Sequence, residues 1–141
     1  MFDVALKEAG AKVVQTTSSD ESYPPENMLD GKTETFWIST GMFPQEFIIS
    51  FAGMMDIAKI KLSCFHVRGL SIQRSVQQEP LDFEVIDERE LTPSDASLQM
   101  EEFKFDSTTA RHMKFVIKSG FDHFVSVHKL NVDGSAVREQ E

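Results

Sequence analysis

The stretch Tyr23-Pro24-Pro25-Glu26-Asn27-Met28-Leu29-Asp30-Gly31-Lys32-Thr33-Glu34-Thr35-Phe36-Trp37 concentrates the residues best able to hold an ion. Pro24 and Pro25 stiffen its entry, Asp30-Gly31 asks for a tight turn, and Phe36-Trp37 can anchor its far side in a core. Such a loop would gather the Asn27 and Lys32 carbonyls, the Asp30 carboxylate and the Thr35 oxygen around one point. All are hard oxygen donors, the kind Ca²⁺ takes in a shell of about six to eight ligands. Asp30 is the one acid the set requires, so the ion would clasp a loop more than sense a signal. The residues alone also allow a plain Asx turn capped by Asp30 without metal. They favour it, because Asp-Gly turns are common.

Other chemistry finds little support. The chain has no Walker loop, no G-x-S-x-G elbow and no H-E-x-x-H helix. Ser126-Val127-His128-Lys129 matches S-x-x-K, but on an alternating strand Ser126 and Lys129 point to opposite faces. Cys64 sits at an inward position without an activating neighbour and reads as a buried, inert thiol. His66, His123 and His128 keep no zinc spacing with a cysteine pair. Asp122-His123 reads as a polar loop pair. No enzyme is expected.

The elements that must position these residues are short strands. Ile60, Leu62 and Cys64 alternate with Lys61 and Ser63. Arg111, Met113, Phe115 and Ile117 alternate with His112, Lys114, Val116 and Lys118. Phe124, Ser126, His128, Leu130 and Val132 interleave with Val125, Val127, Lys129 and Asn131. Further strands are expected over 11–17, 46–51, 70–76, 82–86 and 101–105. Pro24-Pro25, Asp30-Gly31, Gly53, Gly69, Glu79-Pro80, Thr92-Pro93 and Ser119-Gly120 mark the turns between them. Residues 25–30 suggest a helical turn stopped by Gly31, 2–8 a second brief one, and 88–97 an exposed loop. About eight strands at this spacing predict an all-β fold, an antiparallel jelly-roll sandwich.

The chain has 141 residues, 40% of them hydrophobic and 26% charged, enough to pack one core. A single domain over 1–134 is expected, with a flexible acidic tail over 135–141. Fourteen basic residues against 23 acidic ones leave a net charge of −9, which repels a phosphate backbone. No nucleic-acid partner is expected. No apolar run approaches the ~20 residues of a membrane-spanning helix, so no direct membrane insertion is expected. Met1-Phe2-Asp3-Val4-Ala5 shows neither a basic start nor an apolar leader core, and the single Cys64 cannot form an internal disulfide. Both features suggest an intracellular protein.

Ser18-Ser19 through Trp37, continued by Ser39-Thr40-Gly41-Met42-Phe43-Pro44-Gln45-Glu46-Phe47-Ile48-Ile49, resembles the discoidin, or galactose-binding-domain-like, superfamily. Within it, Thr17-Ser18-Ser19-Asp20-Glu21, Pro24-Pro25-Glu26-Asn27, Asp30-Gly31, Glu34-Thr35-Phe36-Trp37 and 41–49 are similar to the intraflagellar transport protein 25 family. A second block, Phe121-Asp122-His123-Phe124-Val125-Ser126-Val127-His128, fits the same family. The resemblance implies a jelly-roll β-sandwich and a structural Ca²⁺ at the positions of Asn27, Asp30 and Thr35. It implies a subunit of the intraflagellar transport B complex that pairs with a Rab-like small GTPase, intraflagellar transport protein 27. The place of work would be the cilium or flagellum and the cytoplasm around the basal body.

The family has also been called small heat-shock-like, yet no I-x-I/V clip follows Leu130. Sugar-binding members of the superfamily present aromatic platforms at loop tips, whereas Trp37 lies inside the turn block and belongs in the core. The alternative function is an intracellular carbohydrate- or ligand-binding module of the same fold. For a partner, a stable interface needs a dehydrated apolar centre. Met42, Phe43, Phe121 and Phe124 are the side chains in the two blocks best suited to supply one. The competing expectation is that they only close one end of the sandwich.

Overall fold

Two long strands, β4 (Gln45–Phe65) and β7 (Gln99–Gly120), pair as an antiparallel ribbon that organises the rest of the chain. The computed structural model describes residues 2–17, 22–32, 35–39, 42–92, 98–122 and 125–137. Around the ribbon lie β1 (Phe2–Asp3), β2 (Lys12–Thr16), β3 (Trp37–Ile38), β5 (Val67–Ser75), β6 (Glu84–Glu90) and β8 (Ser126–Ala136). Every pairing is antiparallel. Short 3₁₀ turns at Lys7–Ala9 and Pro25–Leu29 are the helical elements among the described residues.

The ribbon register runs from Gln45↔Ile117 to Cys64↔Gln99 and is broken between Ser50 and Met55. Before that break β4 has β2 as its other neighbour, with Lys12 opposite Ser50. After it the neighbour is β8, with Met55 opposite Ala136. β5 and then β6 continue from the second half of β7, where Ile72 faces Phe115. The bulge is therefore where the ribbon bends and passes from one layer of the sandwich to the other. One layer contributes Phe47, Ile49, Ile72, Met113 and Phe115 to the core. The other contributes Ile57, Ile60, Leu62, Phe103 and Val132. Phe47 stacks on Phe115 at 5.0 Å and meets the edge of Trp37 at 5.7 Å. Such pairs add about 0.5–1.5 kcal/mol each beyond the area they bury.

The all-β antiparallel jelly roll expected from alternation is the fold observed. Its segmentation differs. The stretches 46–51 and 60–64 belong to one strand, as do 101–105 and 111–118, because cross-strand pairing resumes after each bulge. Gly53, expected to end a strand, lies within β4, and a side chain there would meet open space. The exposed loop expected over 88–97 begins later, since Glu88 to Glu90 pair with β5 as part of β6; 93–97 lie outside the described residues. β8 reaches Ala136, beyond the domain boundary expected at 134, and 138–141 lie outside the described residues. Instead of a helix over 2–8, Phe2 and Asp3 pair with β8, Val4 and Ala5 form a turn, and the helical turn is confined to Lys7–Ala9. Asp3 Oδ1 fixes this start by accepting from the Ala5 and Val132 amides, each at 3.0 Å.

Candidate functional site

The turn Pro25–Leu29 buries Pro25, Met28 and Leu29 and leaves Asp30 at its end. Gly31 follows at φ 79°, a left-handed conformation that suits glycine and reverses the chain. Asp30 then closes the loop with both carboxylate oxygens. Oδ1 accepts from the Lys32 amide at 2.9 Å, and Oδ2 accepts from the Thr35 hydroxyl at 2.5 Å. The Asn27 side-chain amide donates to the Phe36 carbonyl at 3.1 Å. Trp37 is fully buried and pairs with Val127, which pins the far end of the loop to β8.

The structure thus brings Asp30 and Thr35 into contact, sets Lys32 against them through its backbone, and holds Asn27 on the neighbouring carbonyl. The Asx turn anticipated as the alternative to metal is formed. The donor set is also chemically suited to a hard cation, with one carboxylate among neutral oxygens. Among the described residues no group of three or more His, Cys, Asp or Glu could hold a metal. That set is poor in the nitrogen and sulfur ligands of transition metals.

At the ends of the two long strands, Met42, Phe43, Gly120, Phe121 and Asp122 line an open cleft of about 560 Å³. Buried Gln45 donates its side-chain amide to the Met42 carbonyl at 2.7 Å. Ser39 and Val125 exchange hydrogen bonds at 3.0 Å, which holds the incoming segment. The Phe121 amide donates to the His66 carbonyl at 2.8 Å, from the left-handed corner between β4 and β5. Gly120 lets Phe43 enter: a Cβ there would lie 2.6 Å from the Phe43 ring and 2.8 Å from the His66 carbonyl. Met42 is 88% exposed and Phe121 41%, whereas Phe43 packs partly against the core. The Arg68 guanidinium stands 5.8 Å from the centre of the Phe121 ring.

Three of the four expected partner residues therefore share one cleft; Phe124 lies outside the described residues. Sequence reasoning missed Gly120, Arg68 and the His66 corner. Ser119-Gly120 was legible only as a turn, since nothing local shows that an aromatic from residue 43 needs the space.

The dismissed chemistry is also placed. Cys64 is buried with its thiol 3.7 Å from Gln99 Oε1, and burial, helped by the Glu101 charge, pushes the thiol up to about 12. Ser126 is buried and sits 3.3 Å from His128 Nε2. His123 lies outside the described residues. A pair not anticipated joins Ser50 Oγ to His112 Nδ1 at 2.6 Å, while His112 Nε2 faces the Gln77 and Gln78 carbonyls at 3.0 Å. Two carbonyls at Nε2 place the proton there, so Nδ1 accepts from Ser50. At 7% exposure each, the pair staples a loop to the ribbon.

Architecture and site together define an antiparallel jelly-roll β-sandwich with a closed polar loop and an open apolar cleft. Among solved structures, the chain is similar to a family 32 carbohydrate-binding module from Clostridium perfringens NanJ in complex with galactose. The TM-score is 0.79 at 17% identity, covering 93% of this chain and 97% of that one. A second module from Clostridium perfringens, in complex with GalNAc-β-1,3-galactose, gives 0.76 at 24% identity over 90% and 97%. At such identities the likeness is one of fold. Compared with protein-family models, the chain matches none. Against curated proteins it is 44% identical over 136 residues to the intraflagellar transport protein 25 homolog of Homo sapiens, covering 96% of this chain and 94% of that protein. It is 40% identical over 134 residues to intraflagellar transport protein 25 of Chlamydomonas reinhardtii, covering 95% and 70%. The chain belongs to the intraflagellar transport protein 25 family. As a member it is a transport component and not an enzyme.

Proposed function

We propose that this protein is a subunit of the intraflagellar transport B complex at the cilium or flagellum. It forms a heterodimer there with the Rab-like small GTPase intraflagellar transport protein 27. The observation that carries this reading is the 44% identity to the human homologue across 96% of the chain. The cleft of Met42, Phe43 and Phe121 is the docking surface for the GTPase, with Phe124 as a further contact. Exposed apolar side chains around a cleft supply the dehydrated centre a lasting interface needs. The acidic surplus of the chain would steer a basic partner toward it, an effect that salt weakens.

Asn27, Asp30 and Thr35 would hold a structural Ca²⁺, with the Lys32 carbonyl beside them. The ion would neutralise the Asp30 carboxylate and tie the loop to the strand that Trp37 begins. The protein's own contribution is the Asx turn, which holds Asp30 and Thr35 together. Recovery of the tagged protein from ciliated cells, followed by mass spectrometry, tests the functional reading. The GTPase and other transport subunits should dominate the recovered set; their absence, with glycoproteins in their place, would favour a carbohydrate-binding module instead.

A further inference from the structure

The outer face of the layer formed by β8, β4 and β7 carries a grid fixed by the register. Its rows are Asp133–Lys59–Lys104, Asn131–Lys61–Glu102 and Lys129–Ser63–Met100. The alternate residues Ile60, Leu62, Cys64, Phe103, Leu130 and Val132 are buried, so the grid faces away from the core. Four of the chain's 14 basic residues gather here against two carboxylates, on a protein of net charge −9. Glu102 is shared between Lys59 at 3.7 Å and Lys104 at 3.8 Å. Lys61 and Lys129 enter no ion pair among the described residues. Both line a depression of about 290 Å³ with Ser63, Met100, Asn131 and Asp133. A second depression of about 360 Å³, bounded by Lys59, Lys104 and Phe105, adjoins it at Asp133.

We propose that this lysine-bearing sheet face is a second docking surface, fitted to an extended acidic segment of a partner protein. Lys61 and Lys129 are diagonal cross-strand neighbours, and such pairs stand about 7–8 Å apart at Cα. Side chains on one face of an extended peptide repeat every second residue, about 6.6–6.8 Å. Two carboxylates at alternate positions therefore reach both free ammonium groups. Met100, 77% exposed beside them, accepts an apolar side chain of the same segment. A long uniform polyanion fits less well, because Asp133 and Glu102 interrupt the lysines and the surplus elsewhere repels it. The surface shares no residue with the Met42–Phe43–Phe121 cleft, so the two can be tested apart.

The test uses a fluorescent peptide with alternating glutamates and serines and one central leucine, and its counterpart with glutamines. Anisotropy titration of the whole protein at low salt should show binding of the glutamate peptide at least tenfold tighter than the glutamine peptide. The pair Lys61→Glu and Lys129→Glu should abolish that preference, and the pair Lys61→Arg and Lys129→Arg should keep it. A Met100 methyl resonance should shift during the titration with the glutamate peptide alone. Equal binding of the two peptides, or an unchanged preference in the charge-reversed protein, would overturn the proposal. So would phosphatidylserine vesicles or a single-stranded oligonucleotide displacing the peptide at lower charge concentration than free glutamate peptide does.

Discussion

The Asp30 loop and the Phe43 cleft solve opposite problems. The loop satisfies itself: its carboxylate takes a backbone amide and a hydroxyl from within five residues, and Trp37 seals it into the core. The cleft is assembled from segments remote in sequence, around residues 43, 66 and 120, and leaves Met42 and Phe121 open to solvent. A self-satisfied polar turn costs little to maintain and gives a partner little to hold. An apolar cleft offers the reverse, because its exposed surface gains free energy only when covered. On the proposed reading the loop serves the fold's stability and the cleft its associations.

The largest expected effect falls where the loop meets the core. Trp37→Ala should destabilise by about 3–5 kcal/mol, since it leaves a cavity beside Phe47. Thermal unfolding reads it, and a loss smaller than that of Asp30→Ala would mean the loop, not its anchor, carries the stability. Asp30→Ala comes next. If calcium is present at about 100 times its Kd, about 2.7 kcal/mol of stabilisation should vanish. In chelator the same substitution should cost about 1 kcal/mol, from the two lost hydrogen bonds. Equal melting of the unmutated protein in calcium and in chelator would remove the ion and leave the Asx turn alone.

On the other side of the comparison, Phe43→Ala should weaken the GTPase complex by about 2 kcal/mol or more while the protein stays folded. Calorimetric titration measures it, with Phe124→Ala in parallel; unfolding of both variants would return these rings to the core. Cys64, in neither region, provides a pH control. Its thiol is raised in the folded state from 9.0 to about 12, so it ionises more readily once unfolded. The contribution is intact below about pH 9 and is lost as the pH climbs toward 12. Native protein should therefore resist thiol reagents at neutral pH, and prompt labelling there would contradict the burial. The smallest stability effect belongs to Met42→Ala, within about 0.5 kcal/mol, because the side chain is 88% exposed.

How much could be read from sequence follows the same division. The alternation of Ile60, Leu62 and Cys64 and of Met113, Phe115 and Ile117 gave away the strands, and the Asp30-Gly31 turn announced itself. Local chemistry sufficed there. The bend through Gly53 reads locally as an end, because a bulge inside a paired ribbon and a turn between strands share the same small residues. Gly120 was opaque for another reason: its requirement is a 2.6 Å conflict with a ring 77 residues earlier in the chain. The lysine grid needed cross-strand register, which alternation along single strands does not fix.

The most direct test is co-expression of the protein with the Rab-like GTPase and size-exclusion of the product, comparing the unmutated chain with Met42→Asp. The unmutated pair should co-elute as a heterodimer, and Met42→Asp should elute alone with its melting temperature unchanged, since only an exposed cleft residue has been altered. Co-elution of Met42→Asp as firmly as the unmutated chain would place the interface elsewhere, and no complex with either would contradict the proposed pairing itself.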